Sequence, residues 1–129
     1  MTDLTGGCAC GKVRYTAKGD PRFACICQCR DCQLLTGATH AAPFCHDPEM
    51  LIVRGELARH LRQTEAGHTV TQFRCAECGS PIYGLTTRAP AIAMVMAGTL
   101  DDPAAVAPDR IFFAESRIPW DHASVPDAG

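Results

Sequence analysis

Along Lys12-Val13-Arg14-Tyr15-Thr16-Ala17-Lys18, apolar and polar residues alternate. That period of two is the pattern of a half-buried strand. Gly19-Asp20-Pro21 punctuates it, and residues 22–26 read as the strand that pairs with it. Residues 40–45 and 50–54 are two further candidate strands. Residues 60–64 and 69–74 flank Glu65-Ala66-Gly67, which reads as a hairpin turn, and residues 82–85, 91–97 and 110–114 complete the set. Only residues 31–35 and the stretch near Pro48 suggest a helical turn, and no segment sustains a 3.6-residue period. The expected class is mainly β with short helical turns. Phe44, Met50, Leu51, Phe73, Ile82, Met94, Met96, Phe112 and Trp120 are expected in the core. Met94-Val95-Met96 fits alternation in a buried strand, with a pocket wall as the other reading.

The chain of 129 residues shows no repeat, low-complexity segment or linker, so it reads as one domain over residues 1–129 with a tail at 123–129. Hydrophobic residues at 47% and charged residues at 20% fit a globular domain rather than a disordered one. The longest apolar run, residues 89–97, is far short of the roughly 20 residues that span a bilayer, so no membrane partner is expected. A formal charge of −2, made more negative by ionised cysteines, is a poor match for phosphate backbones, so no nucleic-acid partner is expected either.

Nine cysteines change the picture. The opening Met1-Thr2-Asp3-Leu4-Thr5-Gly6-Gly7 has neither a basic nor an apolar leader region, which predicts a cytoplasmic protein. The cysteine count is odd and several lie one residue apart, which disfavours disulfide pairing. In a reducing compartment, clustered cysteines are metal ligands or catalytic thiols. Gly7-Cys8-Ala9-Cys10-Gly11 and Cys75-Ala76-Glu77-Cys78-Gly79 are two short-spaced pairs far apart in sequence. Together they predict one tetrahedral Zn2+ site of Cys8, Cys10, Cys75 and Cys78 that staples two parts of the chain. The flanking glycines let the backbone turn tightly beside the sulfurs.

The middle cluster is Cys25-Ile26-Cys27-Gln28-Cys29-Arg30-Asp31-Cys32. Cys27, Cys29 and Cys32 offer three sulfurs on one loop, and three protein ligands with an open position are the catalytic zinc arrangement. The alternatives are a closed structural site with Cys25 or Cys45 as fourth ligand, a redox thiol cluster, or an iron–sulfur cluster.

Taken together, Cys8-Ala9-Cys10-Gly11, Cys27-Gln28-Cys29-Arg30-Asp31-Cys32 and Phe73-Arg74-Cys75-Ala76-Glu77-Cys78-Gly79-Ser80 resemble the glutathione-dependent formaldehyde-activating enzyme family, also called the Gfa or centromere-protein-V-like family. Gly98-Thr99-Leu100-Asp101-Asp102-Pro103 and Trp120 match its later positions, so the likeness runs from about Gly6 to Trp120. The resemblance implies an Mss4-like fold of folded β-sheets. It implies a structural zinc on the four outer cysteines and a second, labile zinc on Cys27, Cys29 and Cys32. It also implies condensation of formaldehyde with glutathione, a carbon–sulfur lyase reaction in reverse. The chain departs from the family pattern at Gln28, where His is common, at Gln33, where Arg is common, and at Arg110, where His is common; Cys25 and Cys45 are extra.

The expected function is zinc-dependent, reversible addition of a low-molecular-weight, glutathione-like thiol to an aldehyde. A thiol held as thiolate would attack the carbonyl carbon, with Cys27, Cys29 and Cys32 as the catalytic set. Arg30 is a candidate donor to the carbonyl oxygen, or a solvated side chain. His40 and His46 are candidate proton shuttles, or structural histidines. The rival readings are a zinc module that binds or carries a thiol or aldehyde without turnover, and a purely structural zinc protein.

Overall fold

The computed structural model describes residues 2–125. Ten strands form two sheets. The smaller sheet joins β1 (Leu4–Gly7), β2 (Arg14–Ala17) and β5 (Leu51–Arg54) in the order β1-β2-β5, all antiparallel. The larger contains β3 (Phe23–Cys27), β4 (Pro43–His46), β6 (Leu57–Gln63), β7 (Thr69–Cys75), β8 (Pro81–Thr86), β9 (Ala93–Met96) and β10 (Arg110–Phe112). Its order is β10-β3-β4-β9-β8-β7-β6, with β10 parallel to β3 and every other pair antiparallel. One helix, α1 (Arg30–Thr36), follows β3, and short 3-10 turns include Pro48–Met50. The mainly β class is therefore observed, in the folded-sheet form expected of an Mss4-like protein.

The strands fall where alternation places them, and the Glu65-Ala66-Gly67 turn does join a β6–β7 hairpin, with Gln63 opposite Thr69. Their pairing is a different matter. Residues 22–26 do not pair with residues 12–18: β3 lies in the larger sheet against β4 and β10, and β2 is flanked by β1 and β5. Gly19-Asp20-Pro21 carries the chain from one sheet to the other instead of closing a hairpin. β1 was absent from the expected strands because Leu4-Thr5-Gly6-Gly7 is half glycine. The expected tail at 123–129 lies largely outside the described residues.

The core lies between the sheets. Val13, Tyr15 and Ala17 of the β2 region meet Ala24, Phe44, Ile82 and Val95 of the larger sheet. Burying such side chains contributes about 1.5–3 kcal/mol each. The Tyr15 hydroxyl is satisfied at 2.8 Å by Thr99 Oγ1. Three residues expected in the core are exposed: Met50 by 42%, Phe112 by 39% and Trp120 by 69%. Met50 ends a 3-10 turn, Phe112 lies on the edge strand β10, and Trp120 follows the last strand.

The opposite face of the larger sheet positions the chemistry. Strand alternation sends Ala93 and Val95 away from solvent while Met94 and Met96 face a cavity on that side. The pocket-wall reading of the two methionines is the one observed.

Candidate functional site

The four outer cysteines converge as their spacing predicts. Cys8 and Cys10 lie in the β1–β2 connection, Cys75 ends β7, and Cys78 lies in the turn before β8. Their sulfurs all lie within 4.8 Å of one another. Cys8 Sγ is 3.5 Å from Cys10 Sγ, and Cys10 Sγ is 3.7 Å from Cys75 Sγ. A tetrahedron with Zn–S bonds of about 2.3 Å has edges of about 3.8 Å, so this donor set fits a zinc ion. Backbone amides point at the sulfurs: Val13 N–H to Cys8 Sγ at 3.2 Å, and Glu77 and Cys78 N–H to Cys75 Sγ at 3.4 and 3.5 Å. The Ser80 hydroxyl beside Cys78, with neighbouring backbone donors, pulls that thiol down to about 5, which favours the thiolate a metal needs.

Glycine makes the approach possible. Gly11 and Gly79 close the two knuckles with φ of 83° and 79°. At Gly7, a Cβ would come within 2.3 Å of the Val13 carbonyl oxygen. That carbonyl accepts from Cys8 N–H, so neither backbone can yield without moving the knuckle. Gly7→Ala should cost about 1–3 kcal/mol as an overpacking substitution, read as a lower urea midpoint of the zinc-loaded protein.

The second group is Cys27, Cys29 and Cys32, whose sulfurs also lie within 4.8 Å of one another. Cys27 ends β3, Cys29 caps α1, and Cys32 lies in its first turn. The cap is made by sulfur: Cys29 Sγ accepts from Cys32 N–H at 3.3 Å. Hydrogen bonds from Cys27 and Cys32, helped by backbone N–H groups, hold Cys29 down to about 2. The same contacts push Cys27 up to about 11, chiefly through Cys29, and push Cys32 upward. This all-sulfur set with its backbone donors suits a soft or borderline ion such as zinc, whose binding displaces the remaining thiol protons.

Neither Cys25 nor Cys45 joins the trio. They sit against each other and line the cavity, so the closed site with one of them as fourth ligand is not what the fold assembles. Cys25 and Cys45 lie within β3 and β4, whereas Cys27, at the very end of β3, meets Cys29 and Cys32 from the turn and helix beyond.

Cys27 and Cys32 open onto that cavity of about 270 Å³. Its floor is a cross-strand row: Gln72 opposite Gly84, Gly84 opposite Met94, and Met94 opposite Cys45. Arg30 takes no part, since it is exposed and donates to Gln33 Oε1 at 3.0 Å. His46 is also elsewhere, buried with its ring nitrogens 3.3 Å from the Gly19 and Asp47 carbonyl oxygens. It is a structural histidine. His40 Nδ1 lies 2.8 Å from the buried Asp121 Oδ2, a contact that, with the Ala123 N–H, holds that carboxyl well below its usual range.

A family model described as glutathione-dependent formaldehyde-activating enzyme matches residues 3–116. The chain belongs to this family. A solved Rhodobacter sphaeroides protein, a structural-genomics target, is similar in fold, with a TM-score of 0.63 and 20% identity over 83% of this chain and 98% of that one. No curated protein matches the chain.

Within the formaldehyde-activating family, the departures at Gln28 and Gln33 are built into the loop that carries the three cysteines. Gln28 is fully buried and its Nε2 donates to Asp121 Oδ2 at 3.3 Å. Gln33 Nε2 donates to the carbonyl oxygens of Gln28 and Ser116, both at 3.1 Å, clamping the loop between Cys27 and Cys29 to the C-terminal segment. Arg110 pairs with Asp109 at 2.8 Å and lies over the Phe23 ring, 4.3 Å from its centroid. Sequence reasoning missed Gln72 and Asp121. A glutamine in an alternating strand gives no signal, and Asp121 lies far in sequence from Gln28 and His40, which its carboxylate meets.

Proposed function

We propose that this protein is a zinc-dependent enzyme of the carbon–sulfur lyase type that reversibly adds a low-molecular-weight thiol to an aldehyde. The observation that carries this reading is that the three-sulfur group, Cys27, Cys29 and Cys32, borders a cavity through Cys27 and Cys32 and has no fourth cysteine, histidine or carboxylate beside it among the described residues. Family membership supports glutathione as the thiol and formaldehyde as the aldehyde.

Cys27, Cys29 and Cys32 would hold the second zinc, and Cys8, Cys10, Cys75 and Cys78 the structural one. Bound at the trio, zinc supplies Lewis acidity and lowers the pKa of an incoming thiol. The chain's own residues fix the trio in place. Gln33 pins the loop carbonyl, Cys29 caps α1, and the Arg62–Asp31 ion pair at 2.9 Å ties the helix to β6. The mostly apolar lining would lower the polarity around the reacting carbon, which strengthens electrostatic interactions there. His40, adjacent in sequence to the cavity-lining Ala41 and held by Asp121, would be the group to move a proton.

Formaldehyde consumption by a panel of small thiols, glutathione included, tests the reading. Acceleration that requires zinc and vanishes on chelation is expected. Rates equal to the spontaneous reaction with every thiol would reject it.

A further inference from the structure

The cavity beside the trio is larger and more apolar than formaldehyde needs. Its walls include Phe23, Ile92, Met94, Met96 and Phe113. Its volume of about 270 Å³ is near the lower end of the ~300–1,000 Å³ usual for organic ligands. Formaldehyde has no apolar body with which to fill such a space.

Gln72 is the exception on the floor. It is 3% exposed, and its amide nitrogen has no hydrogen-bond partner among the described residues. The amide's orientation is dictated by its neighbour. Arg74 Nη2 donates to Gln72 Oε1 at 3.2 Å, and a guanidinium has only donors, so the oxygen must face Arg74. Arg74 is itself anchored: Nη1 donates to the Gly79 carbonyl at 3.1 Å and Nη2 to the Leu35 carbonyl on α1. The N–H2 group is therefore left as a fixed donor with nothing to donate to. Native folds leave few buried donors in that state.

We propose that the cavity binds the apolar body of an aromatic or branched aliphatic aldehyde, with the Gln72 Nε2–H group donating to its carbonyl oxygen. This rests on the thiol-addition reading of the trio. An aldehyde presents one acceptor to this donor group and apolar surface to a wall that is apolar apart from Thr86, Arg88 and the cysteine sulfurs. Sugar aldehydes would bury several hydroxyls against a wall that offers few polar partners. In the addition, the thiol sulfur forms a bond to the carbonyl carbon and the C=O π pair moves to oxygen. That oxygen takes one proton from solvent, replacing the proton the thiol released, so no redox partner is needed. Gln72 stabilises the developing negative charge without transferring its own proton.

The test uses the full-length, zinc-loaded protein with benzaldehyde and formaldehyde as substrates, and benzamide as an inert carbonyl probe followed by calorimetry. Benzaldehyde should show kcat/KM at least tenfold above formaldehyde with the same thiol, and benzamide should bind saturably. Gln72→Met should weaken benzamide about tenfold, the loss expected for one hydrogen bond. Gly84→Val is the second variant. Its Cβ would come 3.7 Å from Met94 Cε, on the cavity floor, and should lower the preference for benzaldehyde over formaldehyde. Formaldehyde turnover without benzamide binding or benzaldehyde preference would overturn the pocket and leave the thiol-addition reading standing. Gln72-dependent benzamide binding with no aldehyde consumed would uphold the pocket and reject that reading. Unchanged benzamide affinity in Gln72→Met would overturn Gln72 as the donor.

Discussion

Cys75→Ser is expected to abolish the cooperative unfolding transition. Cys75 is the most buried of the four outer cysteines, at 2% exposure, and belongs both to the sulfur group and to the core cluster. Its partners Cys8 and Cys10 come from the connection within the smaller sheet, while Cys75 and Cys78 flank a turn of the larger one. The proposed zinc therefore clamps sheet to sheet, across a core of modest size. Structural zinc sites supply on the order of 10 kcal/mol of folding free energy, comparable with the ~5–15 kcal/mol net stability of a whole domain. The polar contacts that also bridge the knuckles, Ala9 N–H to Ser80 Oγ at 3.1 Å and the exposed Lys12–Glu77 pair, are too weak to substitute. Urea unfolding followed by circular dichroism checks this, alongside the wild-type protein stripped by a strong chelator. A stripped wild-type protein that still melts cooperatively at its original midpoint would remove zinc from the account of stability.

Cys29→Ser should do the reverse, leaving the fold intact and reducing aldehyde consumption to the spontaneous rate. Cys29 accepts the Cys32 N–H as the cap of α1, and serine is among the best residues for that task. The hydroxyl preserves the cap but is a far poorer zinc ligand than a thiolate. The metal content should fall from two ions per chain to one, with the urea midpoint nearly unchanged. Cys29→Ala should lose the second ion as well and cost about 1 kcal/mol more through the missing cap. Retention of both ions and full activity in Cys29→Ser would show that the trio is not the reaction centre.

Both predictions start from cysteine spacing, and that part of the site was legible in the sequence. Cys8-Ala9-Cys10 and Cys75-Ala76-Glu77-Cys78 announce a metal staple because short-range spacing carries ligand geometry directly. The hairpin at Glu65-Ala66-Gly67 was legible for the same reason: turn chemistry is local. Strand pairing was not. Residues 12–18 and 22–26 look like neighbours across Gly19-Asp20-Pro21, yet they enter different sheets, because partner choice is decided by long-range packing that alternation does not encode. The size of Phe112 and Trp120 suggested burial, but hydrophobicity says only that a side chain gains by leaving water, not that room exists for it. Arg30 and His46 looked catalytic by proximity in sequence. Gln33 claims the first, and the carbonyls of Gly19 and Asp47 claim the second. Gln72 gave no signal, since its significance comes from Arg74 seizing its oxygen.

The outer sulfur site also sets a timetable for synthesis. Cys10 and Cys75 are 65 residues apart. A ribosome adding about 5–20 residues per second needs roughly 3 to 13 seconds to supply the later pair after the first has been made. Throughout that interval the nascent chain exposes Cys8 and Cys10 as a half-built ligand pair, open to oxidation or to the wrong ion. The middle trio, drawn from one turn, is complete almost as soon as it is translated. The ion that the family resemblance makes labile would thus occupy the site that can be filled first, and the ion proposed to lock the sheets would arrive last.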